Sequence, residues 1–112
     1  MANTFKLKTK TNVGVTTVGI YTAPTSTTTV VIGVTLANVS GSAIHVGVGV
    51  TRPAADTSKE DIKLIKDVPI PQGSSFEFMA GNKVVLEQED TVTVVSDTAS
   101  SLDVALTIME QT

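Results

Sequence analysis

The sequence predicts an all-β chain folded as a single β-sandwich, immunoglobulin-like or jelly-roll, of eight or nine short antiparallel strands. Three observations carry this. Threonine and valine dominate, with 18 and 17 copies, and β-branched side chains favour the pleated, half-buried surface of a sheet over a helix. Apolar and polar residues alternate at period two along most of the chain, with Gly, Pro, Asn and Ser where turns would have to be. A length of 112 residues suits one domain, 1–112, and no repeat or second core is visible.

The elements follow in order. In Phe5 to Lys10, Phe5 and Leu7 alternate with Lys6, Lys8 and Lys10, giving a first strand with one charged face; residues 1–12 read as a basic N-terminal arm or an edge strand. A second strand is expected from about Val13 to Thr22, ending at Ala23-Pro24 because proline removes a donor and restricts the residue before it. Val30, Ile32, Val34 and Leu36 share one face, as do Ile44, Val46, Val48 and Val50. With Asn38 to Ser42 as the turn, these two runs predict a long hairpin at the centre of a sheet.

Arg52 to Lys59 has the composition of a surface loop. Ile62 to Lys66 fits either a strand or one helical turn. Val68-Pro69-Ile70-Pro71 reads as a rigid extended crossing followed by a turn at Gln72-Gly73. Short strands are expected near Ser75 to Met79, Lys83 to Leu86, Thr91 to Ser96 and Leu102 to Met109, with turns at 80–82 and 98–101.

Composition narrows the function. There is no cysteine, so neither a disulfide framework nor a thiolate metal site is available. Apolar residues make up 41% and charged residues 17%, too apolar for a disordered tail and charge-poor for a solvated surface, which points to some surface covered by a partner. A net charge of -3 argues against a nucleic-acid binder, which needs a basic stripe. Residues 11–51 carry no Asp, Glu, Lys or Arg. Their Thr, Gly and Pro content nevertheless excludes a membrane-spanning helix. Lysines at 6, 8 and 10 occupy the place of a signal peptide's apolar region, so no secretory signal is expected.

Charge is segregated: Lys6, Lys8 and Lys10 stand without an acid, whereas 84–112 holds Glu87, Glu89, Asp90, Asp97, Asp103 and Glu110 without a base. One reading is solubility and edge protection. The other is a basic strand docking on an acidic surface, of a copy of itself or of a host assembly, with an affinity that falls in salt.

The polar face of the expected hairpin presents Val31, Gly33, Thr35 and Ala37 beside His45, Gly47, Gly49 and Thr51. Glycines within strands indicate either tight packing and a bend, or close approach of another backbone such as that of a neighbouring subunit. On the second reading a large residue at Gly47 would abolish assembly without unfolding the monomer.

Catalytic chemistry finds little support. His45 is the only histidine, and no nucleophile elbow or other signature accompanies it. No second His or Cys is available to share a metal. Glu87-Gln88-Glu89-Asp90 lacks EF-hand spacing and is expected to be a solvated turn. Asn38-Val39-Ser40 matches the glycosylation triplet but has no secretory context. Arg52, the lone arginine, reads as a strand-end charge or an interaction anchor. No cofactor, nucleic acid, membrane or small-molecule substrate is expected.

The order of segments carries a resemblance. Met1-Ala2-Asn3-Thr4-Phe5, then Ile20-Tyr21-Thr22-Ala23-Pro24, a Thr-rich turn and Val30 to Asn38, followed by Val68-Pro69-Ile70-Pro71-Gln72-Gly73-Ser74-Ser75 and Leu86 to Asp90, resembles small virion structural proteins of tailed bacteriophages, marine and cyanobacterial ones in particular. The resemblance implies a non-enzymatic sandwich located on the virion: a capsid decoration or cement protein, bound between major capsid subunits as a homo-oligomer, with a trimer favoured. The alternative it implies is a neck, tail or fibre component, recognising a host glycan through loops 23–29, 52–60 or 97–101.

Overall fold

The structure, a computed structural model, describes residues 3–53, 60–78 and 83–112. Within them the chain forms nine strands: β1 (Asn3–Val13), β2 (Val18–Thr22), β3 (Thr28–Asn38), β4 (Ile44–Thr51), β5 (Ile62–Ile70), β6 (Ser75–Phe78), β7 (Val84–Leu86), β8 (Thr91–Ser96) and β9 (Leu102–Gln111). No helix long and apolar enough to cross a membrane occurs among the described residues.

All pairings are antiparallel and divide the strands into two sheets. The first runs β1-β9-β3-β6, with β7 on the same edge of β3 as a continuation of the β6 position; the second runs β2-β8-β4-β5. Since β6 and β7 share one place, each sheet has four positions, and β1–β9, β2–β8, β3–β6/β7 and β4–β5 are nested pairs. That is the jelly-roll form of the sandwich.

The core lies between the sheets. Strand β9 shows the rule: Leu102, Val104, Leu106 and Ile108 are buried at every second position. Opposite them stand Ile44, Val46, Val48 and Val50 of β4 with Val92 and Val94 of β8. Burying one such aliphatic side chain is worth about 1.5–3 kcal/mol, so this alternation is the main force that holds the sheets face to face.

The expected β3–β4 hairpin does not form: β3 belongs to the first sheet and β4 to the second. Both strands bury an apolar row, and joining them across the core lets the two rows face each other, whereas a hairpin would lay them side by side. Asn38 fixes the crossing. Its side-chain amide donates to the carbonyl oxygens of Ser42 at 2.8 Å and Ile70 at 3.0 Å, and its Oδ1 accepts from the Ser40 amide at 2.9 Å. The residue is 4% exposed, so its amide nitrogen is engaged with main chain rather than presented as a glycan acceptor.

The predicted inward row of β3 is also corrected. Val31 pairs with Ile108 and Gly33 with Thr107, so Ile32 is an extra residue in a β-bulge. Val34 and Leu36 are buried as expected, but before the bulge Thr29 and Val31 point inward, leaving Val30 and Ile32 on the outside. The expected strand 13–22 is broken at 14–17, where the chain changes sheets. Gly14 fits there because a side chain would come within 3.3 Å of the Ala99 and Ser100 backbone.

Ile62 to Lys66 is strand rather than helical turn, and β5 continues through Pro69. Proline is tolerated because β5 is the sheet edge. The turn after Pro71 forms as expected, with Gly73 at a φ of 71°. Loop positions 54–59 and the turn expected at 80–82 lie outside the described residues.

Candidate functional site

Register places four apolar side chains in one row across the outer face of the first sheet. Phe5 pairs with Met109, Met109 with Val30, and Val30 with Val85. Directly paired residues share a face, so the row runs across β1, β9, β3 and β7. Phe5 is 69% exposed, Leu7 63% and Val85 57%; Val30, Ile32 and Met109 are half-buried. Towards the other end, Thr9, Ala105, Thr35 and Ala37 line a shallow recess of about 380 Å³ with Asp103 at its rim. The sheet therefore presents water with an apolar row at one end and a threonine-rich surface at the other, where Glu77 of β6 pairs with Thr35 and accepts from its hydroxyl at 3.4 Å.

Gly33 lies within this face, and a side chain there would meet nothing within 4 Å. It keeps the surface flat without being needed for packing. His45, Gly47, Gly49 and Thr51 are on the outer face of the second sheet, at the opposite side of the molecule. The hairpin face read from the sequence is thus split in two, and Val31 is in the core.

On that second face the two glycines differ, and only Gly49 is required by packing. A side chain at Gly49 would come within 2.7 Å of the Ile62 carbonyl oxygen, so the close backbone there is the chain's own β5. At Gly47 the contacts would be ordinary, 3.4 Å to Ile65 and Val95. His45 is paired with Asp97: its amide donates to Oδ1 at 3.1 Å and its Nδ1 to Oδ2 at 3.2 Å. These bonds, the backbone one foremost, and one from the Thr98 hydroxyl hold the Asp97 carboxyl below the usual carboxylate range.

An aspartate behind an imidazole is part of a nucleophile-activating arrangement. The hydroxyl beside it, that of Ser96, is turned inward onto Ser101 Oγ at 2.6 Å. The pair thus ties the β4 start to the β8 end. Among the described residues no group of three or more His, Cys, Asp or Glu side chains converges as a metal site.

The three lysines of β1 are on the core side of the first sheet, because Lys6, Lys8 and Lys10 pair with the inward residues Ile108, Leu106 and Val104. They line the open flank of the sandwich, where long stems can lie on apolar surface with the ammonium in water. Lys6 Nζ is 2.7 Å from Glu110 Oε1, and Glu110 is 7% exposed. The Tyr21 hydroxyl donates to Glu110 Oε2 at 2.5 Å and bonds Thr29 Oγ1 at 2.8 Å. Lys6 first, then Tyr21, draws the Glu110 carboxyl below its ordinary pKa, while burial and then the Glu110 bond push the Tyr21 phenol up to about 12. Lys8 Nζ is 6.0 Å from the centre of the Tyr21 ring. Residues 3–13 are therefore the edge strand of the two readings, and Lys6 has its acid within the same chain.

Arg52 is a clasp. Its Nε donates to Asp90 Oδ1 at 2.8 Å, its Nη2 to Glu87 Oε1 at 2.7 Å, and its amide to Asp61 Oδ1 at 2.7 Å. Asp90 is 1% exposed and its Oδ2 accepts from the Glu87 amide at 2.9 Å. The turn at 87–90 is present, with Glu89 at a φ of 69°, but it is not simply solvated: one of its acids is buried against a guanidinium, which the Asp90 bond above all raises in pKa. Glu110, Tyr21, Asp97, Met109 and Val85 are site residues that sequence reading missed. The parity of β9 carried a signal for two of them, since Glu110 continues the buried row and Met109 the outer one.

The fold and its surfaces define an all-β jelly-roll domain with one exposed apolar sheet face. No family model and no curated protein matches the sequence. Among solved structures, the chain is similar to one from Bacillus endospore appendages, which form a family of disulfide-linked pili, at 16% identity and a TM-score of 0.52 over 99% of this chain and 87% of that one. The similarity extends along the whole chain and is one of fold.

Proposed function

We propose that this protein is a non-catalytic structural subunit of a multicopy assembly, held to its neighbours through the outer face of the first sheet. The observation that carries this is the row Phe5, Met109, Val30 and Val85 with Leu7 and Ile32 beside it, an apolar surface on the outside of a domain with an otherwise complete core. The three long strands β1, β9 and β3, spaced about 4.8 Å apart with roughly ten residues at about 3.3 Å each, give a plane of about 480 Å². Standard interfaces cover about 800 Å² per partner, so this one face accounts for most of a contact.

The pilus similarity adds that a sandwich of this form occurs in an ordered array. Disulfide linkage is not available here, since the chain has no cysteine, and the contact proposed through the outer face is a noncovalent one. The assembly that the segment order favours is a phage virion, with the subunit decorating the shell between major capsid proteins, where many weak contacts add by avidity.

The test is to purify particles bearing the protein, locate it in an averaged image, and repeat with Val30→Lys. The expected result is a copy at each shell junction for the parent, and particles without it for the variant, which melts as the parent does. A variant that is incorporated normally, or a parent protein absent from every particle, overturns the proposal.

A further inference from the structure

We propose that β1 is an exchangeable strand, which leaves its own β9 and completes the first sheet of a second copy of this chain. This deepens the assembly reading, because the apolar outer face would then be built from two copies.

Strand β1 contributes almost nothing to the core. From Asn3 to Asn12 every residue is exposed except Lys8, which is half-buried; only Val13 is fully buried. Its attachment is the backbone ladder to β9, the Lys6–Glu110 ion pair, and the bond from the Asn12 amide to Asp103 Oδ1 at 3.1 Å. The ladder from Asn3 to Lys10 and the Lys6–Glu110 pair are reproduced if β1 of a second copy takes the place, whereas the Asn12 bond at the hinge is given up, so exchange costs little.

The receiving strand is suited to it. Strand β9 is ten residues long, alternates regularly, and carries Glu110 and Asp103 at the two ends of the β1 groove. A segment with three lysines and no acid complements that edge in charge.

A hinge lies between the movable part and the anchor. The β1–β9 register shifts between Lys10 and Val13, and Asn12 within the shift has a φ of 56°, a left-handed turn that Asn adopts more readily than most non-glycine residues. Swinging residues 3–10 out about this point would leave Val13 in the core. Simple addition of a strand to the free side of β1 is disfavoured, since its lysines point inward at the edge.

The test uses full-length chains. Leu7 and Thr107 are direct partners on the outer face and both are exposed, and the chain has no cysteine of its own. Leu7→Cys and Thr107→Cys proteins are incubated together and oxidised. The expected product is the mixed dimer in large excess over either homodimer, beyond the twofold excess of random pairing. A random distribution or no dimer overturns exchange. A predominance of the Leu7→Cys homodimer also overturns it but leaves packing through the outer face standing.

Asn12→Pro provides the second measurement, because proline fixes φ near -65° and cannot make the closed turn. On gel filtration it should shift to a dimer or larger species at concentrations where the parent is closed. An Asn12→Pro protein that stays monomeric, and in which Leu7→Cys and Thr107→Cys combined in one chain still give the intrachain disulfide, overturns the proposal.

Discussion

Tyr21 and Glu110 form a contact whose two members fail at opposite ends of the pH scale. The folded pKa of Glu110 is depressed, so its contribution is present above the ordinary carboxylate range and is lost as pH falls through the folded value. The folded pKa of Tyr21 is raised to about 12; its contribution is present below about 10 and is lost between 10 and 12. Tyr21→Phe should therefore cost about 1.5–3 kcal/mol at neutral pH, the worth of a hydrogen bond to a charged group, and should flatten the alkaline loss between pH 10 and 12. Thermal unfolding followed across that window checks it. At Arg52 the expectation is sharper in kind, because Asp90 is buried behind the guanidinium. Arg52→Ala should lower the melting temperature clearly, since it strands a buried carboxylate. Arg52→Ala/Asp90→Asn should recover part of the loss, which a double-mutant cycle by calorimetry would measure. None of this was legible in the sequence: Tyr21 and Glu110 lie 89 residues apart and Arg52 and Asp90 38 apart, and a run of acids at 87–90 carries no mark of which one is buried.

At the scale of the element, Gly49 and Gly33 look alike in sequence and differ in structure. Gly49→Ala would put a methyl group 2.7 Å from the Ile62 carbonyl oxygen and should destabilise the fold by forcing β5 away from β4, whereas Gly33→Ala meets open space and should be neutral or mildly stabilising. Denaturation midpoints of the two variants decide this, and equal effects would refute the assignment. The same contrast explains how far reading the strands could go. Alternation located β3, β4, β8 and β9 and named the inward row of β4, because period two reports which face is apolar. It could not report which sheet a strand joins, so two consecutive apolar rows read as a hairpin when they are opposite walls of the core. Nor could it place the bulge at Ile32, since one extra residue exchanges the faces of everything before it while leaving the local pattern unchanged. That single residue puts Val30 on the outside, and with it the apolar row of the candidate surface.

For the whole molecule, the decisive question is which force drives association. Segregated charge suggested a basic arm seeking an external acid, and such a contact weakens as salt rises. In the structure Lys6 is 2.7 Å from Glu110 of its own chain, and Lys8 lies near Tyr21. On the function proposed above, the surface that meets a partner is the apolar row on the outer face of the first sheet. Association through it should respond as buried hydrocarbon does: weaker on cooling, strengthened by sulfate, and nearly indifferent to sodium chloride at moderate concentration. A strand-exchanged dimer preserves the same behaviour, because Lys6 meets a Glu110 in either arrangement. Sedimentation velocity in the two salts at two temperatures provides the measurement. If the larger species dissolves on raising sodium chloride from a low value, a charged contact is the driving one. If instead it grows with sulfate and with warming, the outer face is what the molecule offers its neighbours, and Val30→Lys should abolish that growth while leaving the melting curve in place.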